Sequence, residues 1–132
     1  MRRDAREAVY RLVYSYYFTG EVDGENKEYF YKEHKLNDKD VEFADTLISA
    51  TMEHEEEFNS AISELSSGFK LDRINYLDKA ALVLAMAEIK YFEDIDAAVS
   101  IDEAVRLVKK YSTESSLGFV NGILAEFTKR IN

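Results

Sequence analysis

Apolar residues recur at helical spacing along nearly the whole chain. Over residues 4–18 they form an i, i+3, i+4 stripe that consists of Ala5, Ala8, Val9, Leu12, Val13 and Tyr16. A stripe of this kind is typical of an amphipathic helix. Alternating patterns typical of strands are nearly missing, and the chain has no proline that would interrupt a helix. The pattern therefore predicts an all-α fold.

The next part of the chain predicts a loop, a short helix and a long helix. The segment TGEVDGENK contains two glycines and predicts a loop, and a short helix over about 27–35 can follow it. Asn37, followed by Asp38 and Asp40, predicts a helix N-cap with favourable charge in the first turn. Apolar positions then continue at helical spacing up to SSG, so we expect one long helix that ends at Gly68.

Three further helices are predicted in the second half. The run DKAALVLAMAEIKYF is apolar on several sides, so it should be the central helix of the fold. Ser100 and Glu103 have the spacing of a capping box that opens a helix over about 101–111, and Ser112 or Thr113 can cap the last helix. Gly118 and Gly122 lie on one face of that last helix, which predicts close approach of a neighbouring helix.

Composition narrows the class of protein. A chain of 132 residues with 46% hydrophobic residues is the size of one globular domain, taken as residues 1–132. No cysteine is present, which excludes disulfides and thiolate chemistry. No apolar run approaches the roughly 18 residues that span a bilayer, so we expect a cytoplasmic protein without membrane contact.

Signals for catalysis are weak. The two histidines, His34 and His54, belong to no metal-binding motif, and we expect both on exposed helix surface. Neither a glycine-rich phosphate loop nor a nucleophile elbow appears in the sequence. The sequence therefore predicts a protein that is not an enzyme and that holds no metal or cofactor.

The charge pattern draws attention to the first helix. The net charge is −9, and residues 21–64 carry fourteen acidic residues against four lysines, yet four of the seven arginines lie within the first eleven residues. On a helix, Arg3, Arg6, Tyr10 and Tyr14 share one stripe. Guanidinium groups can bind phosphate and phenol rings can stack on unpaired bases. The stripe is compatible with RNA contact and also with an ordinary solvated helix start.

Three segments resemble the NusB family of bacterial transcription antitermination factors. They are RRDAREAVYRLVY, LDRINYLDKAALVLAMAEI and, with the strongest likeness, VSIDEAVRLVKKYSTESSLGFVNGIL. The resemblance implies an all-α, NusB-like fold of about seven helices arranged as two small packed bundles. It also implies a role in transcription rather than catalysis.

The same resemblance implies partners and site residues. Members of the family pair with NusE, a small-subunit ribosomal protein, and bind boxA-type single-stranded RNA within an antitermination complex with RNA polymerase during ribosomal RNA synthesis. Asp78 occupies an acidic position near the family's contact with NusE. The positions that correspond to RNA contacts are Arg2, Arg3, Arg6, Tyr14, Tyr111, Ser115 and Phe119.

Some alternatives stay open at this level. The acidic region 21–64 also fits a helical protein-interaction module that does not itself bind RNA. Tyr111 and Phe119 fit either a core position or a surface that meets RNA. The pattern is compatible with a monomer and with a homodimer, and a dimer that buried the arginines would mask them until a partner arrives.

Overall fold

Helices make up the structure of this chain, a computed structural model that describes residues 1–66 and 73–132. Within these ranges the helices are α1 (Arg2–Thr19), α2 (Gly24–Glu33), α3 (Asp38–Glu53), α4 (Glu55–Leu65), α5 (Tyr76–Tyr91), α6 (Ala97–Tyr111) and α7 (Glu114–Ile131). The described residues contain no strand. The predicted all-α fold of about seven helices is confirmed.

The central position predicted for α5 is confirmed, because all its residues from Ala80 to Glu88 are buried. Helix α5 contacts two groups of helices, one made of α1 and α3 and the other of α4, α6 and α7, and α2 packs on α1. The two groups of helices share one continuous apolar core. Among the described helices, none is long and apolar enough to cross a membrane.

The single long helix predicted after Asn37 is wrong, because the helix breaks at His54. Its start is as predicted: the Asn37 side chain accepts the Asp40 N–H at 2.9 Å, and Asp40 completes a capping box. His54 leaves helical geometry, and its ring stacks on Tyr91 of α5 with ring centroids 4.0 Å apart. The break turns α4 toward α5 and α7. The predicted end at Gly68 lies outside the described residues.

Two other helix starts differ from prediction. Helix α2 begins at Gly24, inside the segment predicted as a loop, because the Asp23 carboxylate caps it by accepting the Asn26 N–H at 2.7 Å. Helix α6 begins at Ala97 rather than 101, so the predicted capping box is wrong. Ser100 is buried and donates its hydroxyl to Glu88 instead. The hydroxyl predicted to cap α6 is therefore bonded to Glu88 of α5.

The start and the glycine face of α7 were predicted in part. Thr113 is its N-cap residue, as one of the two predicted candidates, although its side chain makes no capping hydrogen bond. Gly118 and Gly122 are exposed, and a Cβ built at either position meets no atom within 4 Å. The predicted close helix approach at these glycines is therefore wrong.

Candidate RNA-binding surface

Arg6 is buried, unlike its neighbours in the first turns of α1. Its Nε and Nη2 donate to the Glu88 carboxylate at 2.7 and 3.0 Å, and its Nη1 lies 3.5 Å from Glu103. Ser100 donates to the same Glu88 carboxylate at 2.8 Å. Because this guanidinium faces carboxylates and not solvent, the structure does not support a direct phosphate contact by Arg6. Its position instead anchors α1 on α5 and α6.

The predicted solvent-facing stripe of arginines and tyrosines is wrong at its two middle members. Tyr10, like Arg6, is buried, and its hydroxyl donates to the Leu77 carbonyl at 2.9 Å. Burial raises the pKa of Tyr10, with the Asp78 carboxylate adding to the effect. Arg6 and Tyr10 point into the fold because this side of α1 packs on α5 and meets side chains of α6.

Arg2 and Arg3, which we call the arginine arm, are half-exposed cations at the start of α1. Arg3 donates its Nε to Glu103 at 3.1 Å, and its two Nη groups have no partner among the described residues. Arg2 donates to Asp94 at 3.2 Å, and its guanidinium lies 4.6 Å from the centre of the Phe43 ring. The free edge of the Arg3 guanidinium has the fork geometry that binds a phosphate group.

A narrow crevice separates α1 from α6 beside Arg3. Lys110 of α6 donates to Glu7 of α1 at 2.6 Å, and the Tyr111 hydroxyl donates to the same carboxylate. Burial alone would raise the pKa of Glu7, but the hydrogen bonds from Lys110 and Tyr111 outweigh it and lower that pKa. Glu7 is therefore an ionised group that ties the two helices together.

Two of the predicted tyrosines, Tyr14 and Tyr111, line one aromatic groove. The groove has a volume of about 420 Å³ and lies between α1, α2, the start of α5 and the end of α6. Tyr111 packs on Tyr10 with centroids 5.3 Å apart, and Tyr14 meets Phe18 edge to face at 5.0 Å. Phe18 is 65% exposed. Ring faces at the edge of a groove are what stacking on unpaired bases requires.

A second cavity, about 230 Å³ in volume, holds Ser115, Phe119 and Asp78. Asp78 is buried, and its two oxygens each accept one hydroxyl hydrogen bond at 2.7 Å, from Ser112 and Ser116. This carboxylate joins α5 to the start of α7. Ser115 is exposed and Phe119 half-buried. The cavity lies beside the aromatic groove, because Ser112, which follows Tyr111 of the groove, donates its hydroxyl to Asp78 of the cavity.

These findings decide which predicted residues share a surface. The crevice, the groove and the cavity follow one another along the molecule, since Tyr111 of the groove contacts Glu7 in the crevice and the next residue, Ser112, contacts Asp78 in the cavity. Arg3, Tyr14, Tyr111, Ser115 and Phe119 lie along this side, whereas Arg2 leans toward α3. Within the described ranges, no group of three or more acidic or histidine side chains could hold a metal ion.

The sequence prediction missed the cations of α6. Arg106 and Lys110 line the crevice opposite Arg3, and Lys109 lies beside them on exposed surface. Their i, i+3, i+4 spacing in the sequence was the signal that could have revealed them.

The match to known families agrees with this architecture. The model of the NusB family matches residues 3–129. The chain belongs to the NusB family. The transcription antitermination protein NusB of Finegoldia magna is 37% identical over 129 residues, which cover 98% of this chain and 94% of that protein. Family membership confirms the predicted resemblance, and it makes the protein a transcription antitermination factor and not an enzyme.

Solved NusB structures share the fold over nearly the full length. T. maritima NusB superposes with a TM-score of 0.86 at 32% identity, with 98% of this chain and 91% of that chain covered. A chain in the crystal structure of antitermination factors NusB and NusE in complex with dsRNA superposes with a TM-score of 0.87 at 31% identity. There the coverage is 98% of this chain and 96% of that chain.

Proposed function

We propose that this NusB family protein binds boxA-type single-stranded RNA together with NusE during ribosomal RNA transcription. The observation that carries the proposal is the side formed by the crevice, the groove and the cavity. On a chain of net charge −9, this side combines half-exposed arginine with ring faces at the edge of open grooves. A related NusB chain has been solved with NusE and dsRNA, which supports NusE and RNA as partners of this protein.

Each part of this surface has a distinct task in the proposal. Arg3 on this surface, and Arg2 beyond its edge toward α3, neutralise phosphates, which fixes the RNA on the protein without reading its sequence. Tyr14, Tyr111 and Phe119 offer ring faces to unpaired bases, and Ser115 offers a hydroxyl next to Phe119. Arg6 holds α1 in place through Glu88.

Asp78 acts as a positioning residue in this scheme. Asp78 is buried and accepts hydrogen bonds from Ser112, Ser116 and the Asn75 side chain, so we assign it a structural role and no direct contact. It sets the position of the α7 start, which carries Ser115 and Phe119. We propose that its effect on NusE binding is transmitted through that junction.

The test is a gel shift of boxA-type RNA with and without NusE. We expect a weak shift with this protein alone and a stronger one when NusE is added, because so acidic a chain has a small basic surface. The same RNA with a scrambled boxA sequence is the control. Equal binding of both RNAs in the presence of NusE would contradict the proposal.

A second candidate function rests on the acidic region 21–64. Its fourteen acidic residues against four lysines favour a basic protein partner, so the protein could serve as an interaction module without RNA contact of its own. Capture of NusE by this protein, combined with no change in RNA binding by NusE, would favour the module.

A further inference from the structure

Three cations lie close together on α6, and two of them face Arg3 across the crevice. Arg106, Lys109 and Lys110 are all exposed, and Arg106 and Lys110 line the crevice itself. In the part of the chain that the structure describes, Arg106 and Lys109 form neither an ion pair nor a side-chain hydrogen bond. Arg106 is therefore an unpaired cation in the same crevice as Arg3, and Lys109 is a second unpaired cation one turn further along α6.

Charges of opposite sign lie at different depths in this crevice. Side chains of Arg3 and Lys110 are 52% and 61% exposed, whereas those of Glu103 and Glu7 are 12% and 14% exposed. Each carboxylate pairs with its cation from deeper in the crevice, and the two cations form the solvent-facing rim of the crevice. A ligand that approaches from solvent therefore meets positive charge first.

Helix stability explains only part of this arrangement. Lys109 and Lys110 lie in the last turn of α6, where the helix dipole favours cations. Arg106 lies a turn earlier and still lines the crevice together with Arg3 of another helix. The rim of this crevice therefore combines the unpaired Arg106 with Arg3 and Lys110, which are exposed although each is paired with a deeper carboxylate. Such a cationic rim fits an extended anion that lies along it.

The geometry points to a phosphate-binding track between α1 and α6, in which Arg106, Lys109 and Lys110 hold the backbone of single-stranded RNA next to the segment bound by the arm and the aromatic groove. This inference rests on the proposed function. Lys110 precedes Tyr111, so the track runs directly into the groove. Because phosphate contacts carry no base information, the track adds affinity and leaves the choice of sequence to the rings.

The test compares two matched double variants. Arg106→Gln/Lys109→Gln removes two cations of the track, and Lys129→Gln/Arg130→Gln removes one lysine and one arginine from the last turn of α7. The end of α7 lies far from the crevice, because Arg130 pairs with Glu64 of α4. RNA binding is measured with NusE over a salt titration, using boxA-type RNA with ten uridines added on each side.

We expect Arg106→Gln/Lys109→Gln to reduce the slope of log affinity against log salt by about 1.4, since each phosphate contact on single strands contributes about 0.7. At low salt the affinity should fall on the order of tenfold. The α7 variant should match the unaltered protein, and both variants should keep its melting temperature.

Two results would overturn the track. One is an unchanged slope in Arg106→Gln/Lys109→Gln. The other is an equal loss in both variants, which would assign the effect to net charge alone. If the unaltered protein with NusE binds no boxA-type RNA, the proposed function itself fails, and this outcome is distinct because it appears before any variant is compared.

Discussion

The α1/α6 side and the α2–α4 segment use charge in opposite ways. On the α1/α6 side, carboxylates such as Glu7 and Glu103 lie deep in the crevice while cations form its rim. In residues 21–64, acidic residues outnumber lysines by fourteen to four, and most of them lie on exposed helix faces. The acidic excess behind the net charge of −9 comes mainly from residues 21–64 and not from the α1/α6 side. The depth at which each sign lies decides which ligand a surface attracts.

The largest expected effect concerns the anchor beneath the cationic rim. Glu88→Ala would leave Arg6 buried without its main partner, so we expect the free energy of unfolding to fall by about 3–5 kcal/mol. Glu93→Ala, an exposed position just after α5, should change it by less than about 0.5 kcal/mol. Denaturant unfolding measures both. Similar values for the two variants would show that the Arg6–Glu88 pair does not anchor α1.

The next effect concerns the ring at the far end of this side. Phe119→Ala should weaken RNA binding in the presence of NusE by about 1–3 kcal/mol, the usual value for loss of one base stack. Phe119→Leu keeps an apolar side chain in the half-buried position, so it should retain the melting temperature while losing most of the stacking. Undiminished RNA affinity in both variants would remove Phe119 from the surface.

Charge-removing variants of Arg2 and Arg3 and of the acidic region 21–64 contrast the two regions directly. Arg2→Ala/Arg3→Ala should lower the salt slope of RNA binding by about 1.4 and change stability little, because half-exposed ion pairs contribute about 0–1 kcal/mol each. The matched variant Glu53→Gln/Glu56→Gln alters the acidic region and should leave RNA affinity within about twofold, since exposed charges beyond about 10 Å are screened. A larger response to the glutamate changes would reverse the assignment of the two regions.

The smallest effect is a pH dependence at the edge of the crevice. Burial foremost, and the nearby Arg11 and Lys110 as well, lower the pKa of His34 below its ordinary value of 6.5, against the opposing carboxylates of Glu7 and Glu33. The unfolded chain therefore takes up a proton at this histidine before the folded one does, and stability should fall as the pH drops below about 6.5. Denaturant midpoints at pH 7.5 and 5.5 measure this loss. His34→Gln should reduce it, and an identical loss in that variant would exclude His34 as its source.

Local sequence signals predicted most helices, but not the helix breaks and starts that depend on contacts with other helices. The Asn37 cap and the apolar run of α5 depend on neighbours in the chain, and both predictions are confirmed. The break at His54 depends on a ring from α5, and the early start of α6 depends on Glu88 drawing Ser100 away from a cap. Periodicity contains no information about such distant partners.

In the candidate site, too, features set by nearby residues in the chain were predictable, and features set by distant residues were not. Exposure of Arg2 and Arg3 follows from their place at the start of the chain's first helix, whereas burial of Arg6 depends on Glu88, which lies 82 residues away. One signal was available: a single glutamate within the apolar run DKAALVLAMAEI indicates a buried charge that requires a partner. The partner's identity becomes visible only once α1 and α5 are packed together.

The most direct test follows the arginine Nε–Hε NMR signals of this protein, with NusE bound, as boxA-type RNA is added. If the cationic rim of the α1/α6 crevice holds the RNA backbone, the signals of Arg3 and Arg106 shift strongly. Those of Arg130 stay in place, and Arg6 responds little because Glu88 holds its Nε. Unmoved Arg3 and Arg106 signals, together with shifts of the backbone amides in residues 21–64, would contradict the account.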